Sequence, residues 1–162
     1  MSELDRACEI FDDAIAYQQS KGFPVYRSND REAVAKAIED KLHYTLKIDG
    51  EMACVFNILY NDPAIWRQMD SDNAIYLHRV ITNQDFKGQR LFQKVLDWTI
   101  SRAAELDRPF VRMDTWADAT NLIDYYTSFK FRVVELFMAP YDPQISENCQ
   151  GNEVVLLEYK IS

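Results

Sequence analysis

Apolar and polar positions change period several times along this chain, and each change marks an element. Leu4, Ala7, Cys8, Phe11, Ala14, Ile15 and Gln18 recur at helical spacing over residues 3–20, and Gly22 closes the run. Asn29 or Asp30 is placed to cap a second helix through Val34, Ala37 and Ile38. The pattern then turns strand-like in Leu42–Ile48 and Glu51–Tyr60, and the Asp49-Gly50 pair between them predicts a hairpin. Residues 62–73 read as a loop with room for one helical turn. A strand at 74–81 leads through a polar turn into a helix of about 18 residues, beginning near Gly88. Its core stripe is Leu91, Phe92, Val95, Leu96, Thr99, Ala103 and Leu106. A strand at 110–115, a helix near 119–129, a strand at 131–138 and a last strand at 153–161 complete the series. The order ααβββαβαββ predicts a single α/β domain over residues 1–162 with a mixed sheet.

Length and composition agree with that reading. A chain of 162 residues, 48% hydrophobic and 27% charged, can bury one sizeable core. Its 18 basic and 26 acidic side chains leave a net charge of −8, which argues against nucleic acid and anionic membrane as partners. Cys8, Cys54 and Cys149 are too few and too scattered for a disulfide framework or a zinc knuckle. With no N-terminal signal peptide and no long apolar run, the expectation is a reduced, soluble, cytoplasmic protein without a metal.

Glycine is scarce, at four residues, and three of them have turn-making positions: Gly22, Gly50 and Gly151. Gly88 stands instead between a strand and a helix, where free backbone N–H groups and a partial positive charge make a natural anion site. Arg79, Lys87, Arg90 and Lys94 face one acidic residue, Asp85, in this stretch. Lys87, Arg90 and Lys94 would also share one side of the predicted helix. A solvated basic face is the plain alternative.

Three segments resemble the GNAT superfamily of acyl-CoA-dependent N-acyltransferases. Leu77-His-Arg79-Val80-Ile81-Thr82 followed by Lys87-Gly88-Gln89-Arg90-Leu91-Phe92 is similar to that family's strand and glycine-rich turn. Val111-Arg112-Met113-Asp114-Thr115-Trp116 resembles its next strand, and Tyr126-Thr-Ser-Phe-Lys130-Phe131 its helix-to-strand passage. The likeness covers residues 40–137 by motif and the whole chain by element order. Arg90, Phe92 and Lys130 stand where the family places small residues, and Ala119 where many members carry Asn.

The resemblance implies a mixed, mostly antiparallel central sheet flanked by helices, with acetyl-CoA as cosubstrate. It implies main-chain contacts to the pantetheine arm at Val80, Ile81 and Thr82. It assigns the pyrophosphate to Lys87, Gly88, Gln89, Arg90, Leu91 and Phe92, the last chiefly as a packing residue. Tyr126 would be the acid that protonates the departing thiolate. For the base, His78, Glu135, Asp114 and an ordered water stay open. Trp66, Trp116 and Tyr60 are candidates to line an acceptor pocket for a small-molecule or peptide amine. A homodimer is compatible with this fold. The alternatives are a catalytically degenerate GNAT-fold acyl-CoA sensor or interaction domain, and an unrelated α/β module that binds another phosphate.

Overall fold

Asp49 and Gly50, at φ of 51° and 81°, make the tight turn between Ile48 and Glu51 that the sequence predicts. Positive φ at both central residues is what lets a two-residue loop follow the right-handed twist of its strands. In this computed structural model, residues 1–23 and 30–162 are described; Asn29, one of the two expected caps, lies outside them. The other, Asp30, does cap the second helix, its side chain accepting from the Ala33 N–H at 3.2 Å.

The elements follow in the expected order. They are α1 (Glu3–Ser20), α2 (Arg31–Glu39), β1 (His43–Ile48), β2 (Glu51–Leu59), a short α3 (Pro63–Trp66), β3 (Ala74–Thr82), α4 (Leu91–Glu105), β4 (Phe110–Trp116), α5 (Thr120–Thr127), β5 (Arg132–Met138) and β6 (Glu153–Lys160). The strands form a six-stranded mixed sheet in the order β1-β2-β3-β4-β6-β5. β3 and β4 run parallel, and α4 supplies the crossover that a parallel pair requires. β1–β2, β4–β6 and β5–β6 are antiparallel.

Two compact units divide the chain. The first is Met1–Ile58 with His78–Leu96, and the second is Leu59–Leu77 with Asp97–Ser162. Within the first, Ala7, Ile10, Phe11 and Ala14 of α1 and Val34 of α2 bury against Met52, Val55 and Ile81. Within the second, Ile65, Trp66, Ala74, Tyr76, Ala139, Ile145, Val154 and Leu156 form the core.

Three differences from the sequence reading have physical causes. Helix α4 begins at Leu91 and ends at Glu105, so it has 15 residues, and Leu106 lies beyond it at 40% exposed. Residues 62–73 hold more order than a loop. Pro63 opens a helical turn, a 3-10 turn follows at Arg67–Asp72, and Trp66 is wholly buried rather than lining a pocket. Finally, β3 does not alternate evenly. Ala74–Leu77 are all buried, and then Arg79 takes a left-handed φ of 52° and breaks the period.

Candidate functional site

The segment from Val80 to Phe92 lies entirely in the first unit. Ile81 points into the core under α1, while Val80 and Thr82 are half-buried. Asn83 fixes where the strand ends. Its N–H donates to the Ala53 carbonyl at 2.8 Å and its side-chain amide to the Met52 carbonyl at 2.9 Å, both on β2. Its Oδ1 accepts from the Asp85 N–H at 3.0 Å, an Asx turn that starts the 3-10 turn Gln84–Phe86. Gln84 turns back to the Thr82 carbonyl at 3.3 Å. The buried Asn83 was absent from the sequence reading, although an Asn directly after an apolar strand is a recognisable turn signal.

Past that anchor the backbone changes hand twice. Gly88 has φ of 87° and Arg90 has φ of 54°, and Leu91 then enters α4. A Cβ on Gly88 would meet nothing within 4 Å, so it is the conformation and not the space that calls for glycine there. Among the described residues, no backbone carbonyl takes the N–H of Gly88, Gln89, Arg90 or Leu91. Successive N–H groups without a backbone acceptor, shaped by two left-handed residues at a helix start, suit an anion.

The basic side chains are arranged differently from the expected common face, because Lys87 and Arg90 precede the helix. Lys87 donates to the Tyr17 hydroxyl on α1, and its ammonium stands 4.2 Å from the centre of that ring. This hydrogen bond lowers the Tyr17 phenol below its ordinary pKa. Arg79 reaches Asp30 at 3.8 Å and lies 5.8 Å from the Phe11 ring centre. Arg90 and Lys94 are exposed. Leu91 and Phe92 are 4% and 5% exposed, so both act as packing residues that seat the start of α4. His78 is half-buried on β3, one residue before the left-handed Arg79.

Tyr126 and Glu135 belong to the second unit. Tyr126 is half-buried on α5, with its ring 6.4 Å from Phe131 and tilted by 60°. Tyr125 differs, being 45% exposed and edge-on to Phe129 at 5.0 Å. The two tyrosine rings nonetheless meet, their centres 5.7 Å apart, so they differ in exposure while sharing a contact. Glu135 sits at an irregularity in β5 and accepts a charge-assisted bond from Arg67, whose guanidinium also stacks 4.0 Å from the Phe137 ring centre. Asp114 is half-buried and accepts a weak bond from the Cys149 thiol at 3.8 Å. Trp116 donates its indole N–H to the Asn148 carbonyl at 2.9 Å, which ties β4 to the loop before β6.

The second unit also holds a polar cluster that the sequence reading missed. Arg112, 1% exposed, donates from Nε to Glu158 at 2.9 Å, and from its two Nη atoms to the Met69 carbonyl at 2.7 Å and Asp72 at 2.8 Å. Its guanidinium lies 4.4 Å from the Trp66 ring centre. Burial, with the acceptor Asp70 beside it, pushes the neighbouring Tyr76 phenol upward, and its hydroxyl donates to Asp70 at 2.6 Å. The partners of Arg112 come from distant points of the chain, so no local pattern announces them.

No protein-family model matches this sequence. It is similar to an uncharacterized N-acetyltransferase, YesJ, of Bacillus subtilis, at 28% identity over 104 residues. That match spans 62% of this chain and 58% of the relative's length, less than two thirds of it. Among solved structures, a GNAT-family acetyltransferase from Listeria monocytogenes superposes with a TM-score of 0.76 at 18% identity, over 99% of this chain and 91% of that one. YncA of Salmonella typhimurium, a putative acetyltransferase solved with acetyl-CoA, superposes at 0.63 and 13% identity, covering 100% of this chain and 91% of its own.

Proposed function

Because this chain shares its fold with GNAT acetyltransferases of known structure, we propose that it is a member of that superfamily and an N-acetyltransferase. It moves the acetyl group of acetyl-CoA to a primary amine, on a small molecule or a peptide, by direct transfer in a ternary complex. The observation that carries this reading is the turn into α4. Its N–H groups at Gly88, Gln89, Arg90 and Leu91 have no backbone acceptor among the described residues, and two left-handed residues shape it. A pyrophosphate satisfies such donors. The acetyl-CoA bound to the Salmonella neighbour supports the choice of ligand.

The chemistry needs proton movements at both the nitrogen and the sulfur. The amine loses a proton, to His78, Asp114 or an ordered water, and its nitrogen attacks the thioester carbonyl carbon. As the C–N bond forms, the carbonyl oxygen takes up negative charge, which a main-chain N–H in the stretch Val80–Thr82 stabilises. Collapse of that intermediate breaks the C–S bond. The thiolate takes the proton of the Tyr126 phenol, and the nitrogen, cationic since the attack, gives up its second proton to solvent, from which the phenolate is reprotonated. Glu135 is the weaker base candidate, since its carboxylate is held by Arg67.

A second reading, an acyl-CoA sensor that no longer catalyses, draws support from the same Arg67–Glu135 pair and from Arg90 in a position that favours glycine. Calorimetric titration with acetyl-CoA and with desulfo-CoA tests both readings at once. Binding is expected, and no heat at millimolar ligand removes both. Thiol release over a panel of amines, with Tyr126→Phe alongside, separates them. Turnover by the wild type that falls at least tenfold in the variant is the enzyme's result, on the scale of general acid catalysis.

A further inference from the structure

Tyr17 and Lys87 are 70 residues apart in sequence and meet beside the turn at Gly88. Tyr17 lies in the last turn of α1, and Lys87 immediately precedes the glycine. The ammonium donates to the phenol oxygen and also lies against the ring face, 4.2 Å from its centre. Lys21 approaches the same ring at 5.8 Å. Each ammonium has three donors, and neither contact uses a formal negative charge. That choice of partner matters. A carboxylate in the place of Tyr17 would cancel the charge of Lys87, whereas a neutral hydroxyl and a π face orient the cation and leave its charge for another anion.

We propose that Tyr17 is a positioning residue for the phosphate-binding turn: it holds Lys87 as a preset, uncancelled cation next to the free N–H groups of Gly88–Leu91. This rests on the acyl-CoA reading of the turn and extends it to a residue on another element. The gain is preorganisation. A lysine side chain free in solvent loses rotamer entropy when it engages a phosphate, and the Tyr17 contact has already restricted it.

A double-mutant cycle on the full chain tests this, with the dissociation constant for CoA read by calorimetry. Tyr17→Phe keeps the ring and removes the hydroxyl, and is expected to weaken CoA by about three- to tenfold, the range of one hydrogen bond. The melting temperature should stay within about 2 °C, as for a change at an exposed contact. In a Lys87→Ala background the same substitution should have no further effect. Lys21→Ala, which removes a charge at the same ring, should change affinity less than Tyr17→Phe. Equal losses from Tyr17→Phe with and without Lys87 would overturn the proposal, because Tyr17 would then act through the fold. So would no loss at all, or an equal loss from Lys21→Ala. If the wild type fails to bind CoA, the acyl-CoA reading falls, and the same cycle run with inorganic pyrophosphate tests Tyr17 separately. No binding of pyrophosphate either would overturn the positioning role too.

Discussion

Arg79 and Asp30 are both left-handed, at φ of 52° and 47°, and their side chains approach to 3.8 Å. One interrupts β3 just before the stretch read as the thioester-binding main chain, and the other caps α2. Left-handed backbone is costly for an arginine and much less so for an aspartate, whose short side chain bonds locally. Asp30 does this through Oδ1 to the Ala33 N–H, while Oδ2 faces Arg79.

These two functions of Asp30 can be separated by substitution. Asp30→Asn retains a cap residue that tolerates left-handed backbone and removes the charge, so it should cost less than about 1 kcal/mol, as for a partly exposed ion pair. Asp30→Ala loses the cap, the pair and the tolerance for φ of 47°, and should cost about 1–2 kcal/mol. Urea denaturation midpoints of the two variants check this. Equal losses would mean that the charge, and not the cap, is what α2 depends on.

Arg90→Gly addresses the residue that departs most from the family pattern. Its backbone already has the left-handed φ of 54° that a glycine would adopt, so the loop shape is kept in the variant. Relief of strain of about 1 kcal/mol is offset by the greater freedom of glycine in the unfolded chain, leaving stability within about 1 kcal/mol of wild type. The exposed guanidinium is then the only thing lost. CoA affinity should fall several-fold, on the scale of one charge-assisted contact, measured by calorimetry. Tighter binding would show instead that the side chain obstructs the pyrophosphate.

The strand–turn–helix order was legible because most elements announce themselves locally: an Asp-Gly turn, a helical apolar stripe, a glycine just past the end of α1. The helix around Gly88 was misjudged by three residues for a local reason as well. The stretch from Lys87 to Arg90 is polar and carries the helical charge spacing, yet Gly88 and Arg90 are left-handed and no α-helix can pass through them. Contacts across long sequence separations were not legible at all. Lys87 with Tyr17, Glu135 with Arg67 and Arg112 with Glu158 are each set by tertiary packing.

The Arg112–Glu158 pair predicts a large stability effect away from the proposed chemistry. Arg112 is 1% exposed and Glu158 3%, and the carboxylate bridges Arg112 and the exposed Arg132. Glu158→Gln keeps the shape and removes the charge, which leaves the guanidinium with Asp72 and the Met69 carbonyl as acceptors. Breaking a buried pair on one side costs about 3–5 kcal/mol, and Asp72 should hold the loss toward the lower figure. Chemical denaturation measures it. A loss below about 1 kcal/mol would mean that Asp72 alone satisfies the cation.

Cys54 gives a pH dependence with a definite sign. Its side chain is fully buried on β2, and burial pushes the thiol from an ordinary 9.0 up to about 12. In the unfolded chain the thiol ionises near its ordinary value, so above that pH the unfolded state binds fewer protons than the folded one. The contribution of Cys54 is therefore fully present below pH 9 and is lost as pH rises from there toward 12. Between pH 8 and about 10.5 the loss attributable to this one group is about 2 kcal/mol. Cys54→Ala has a cavity penalty at every pH but lacks the titration, so its stability should decline less over that interval. Parallel guanidinium melts at the two pH values measure the difference, and identical declines in both proteins would place the thiol in contact with water.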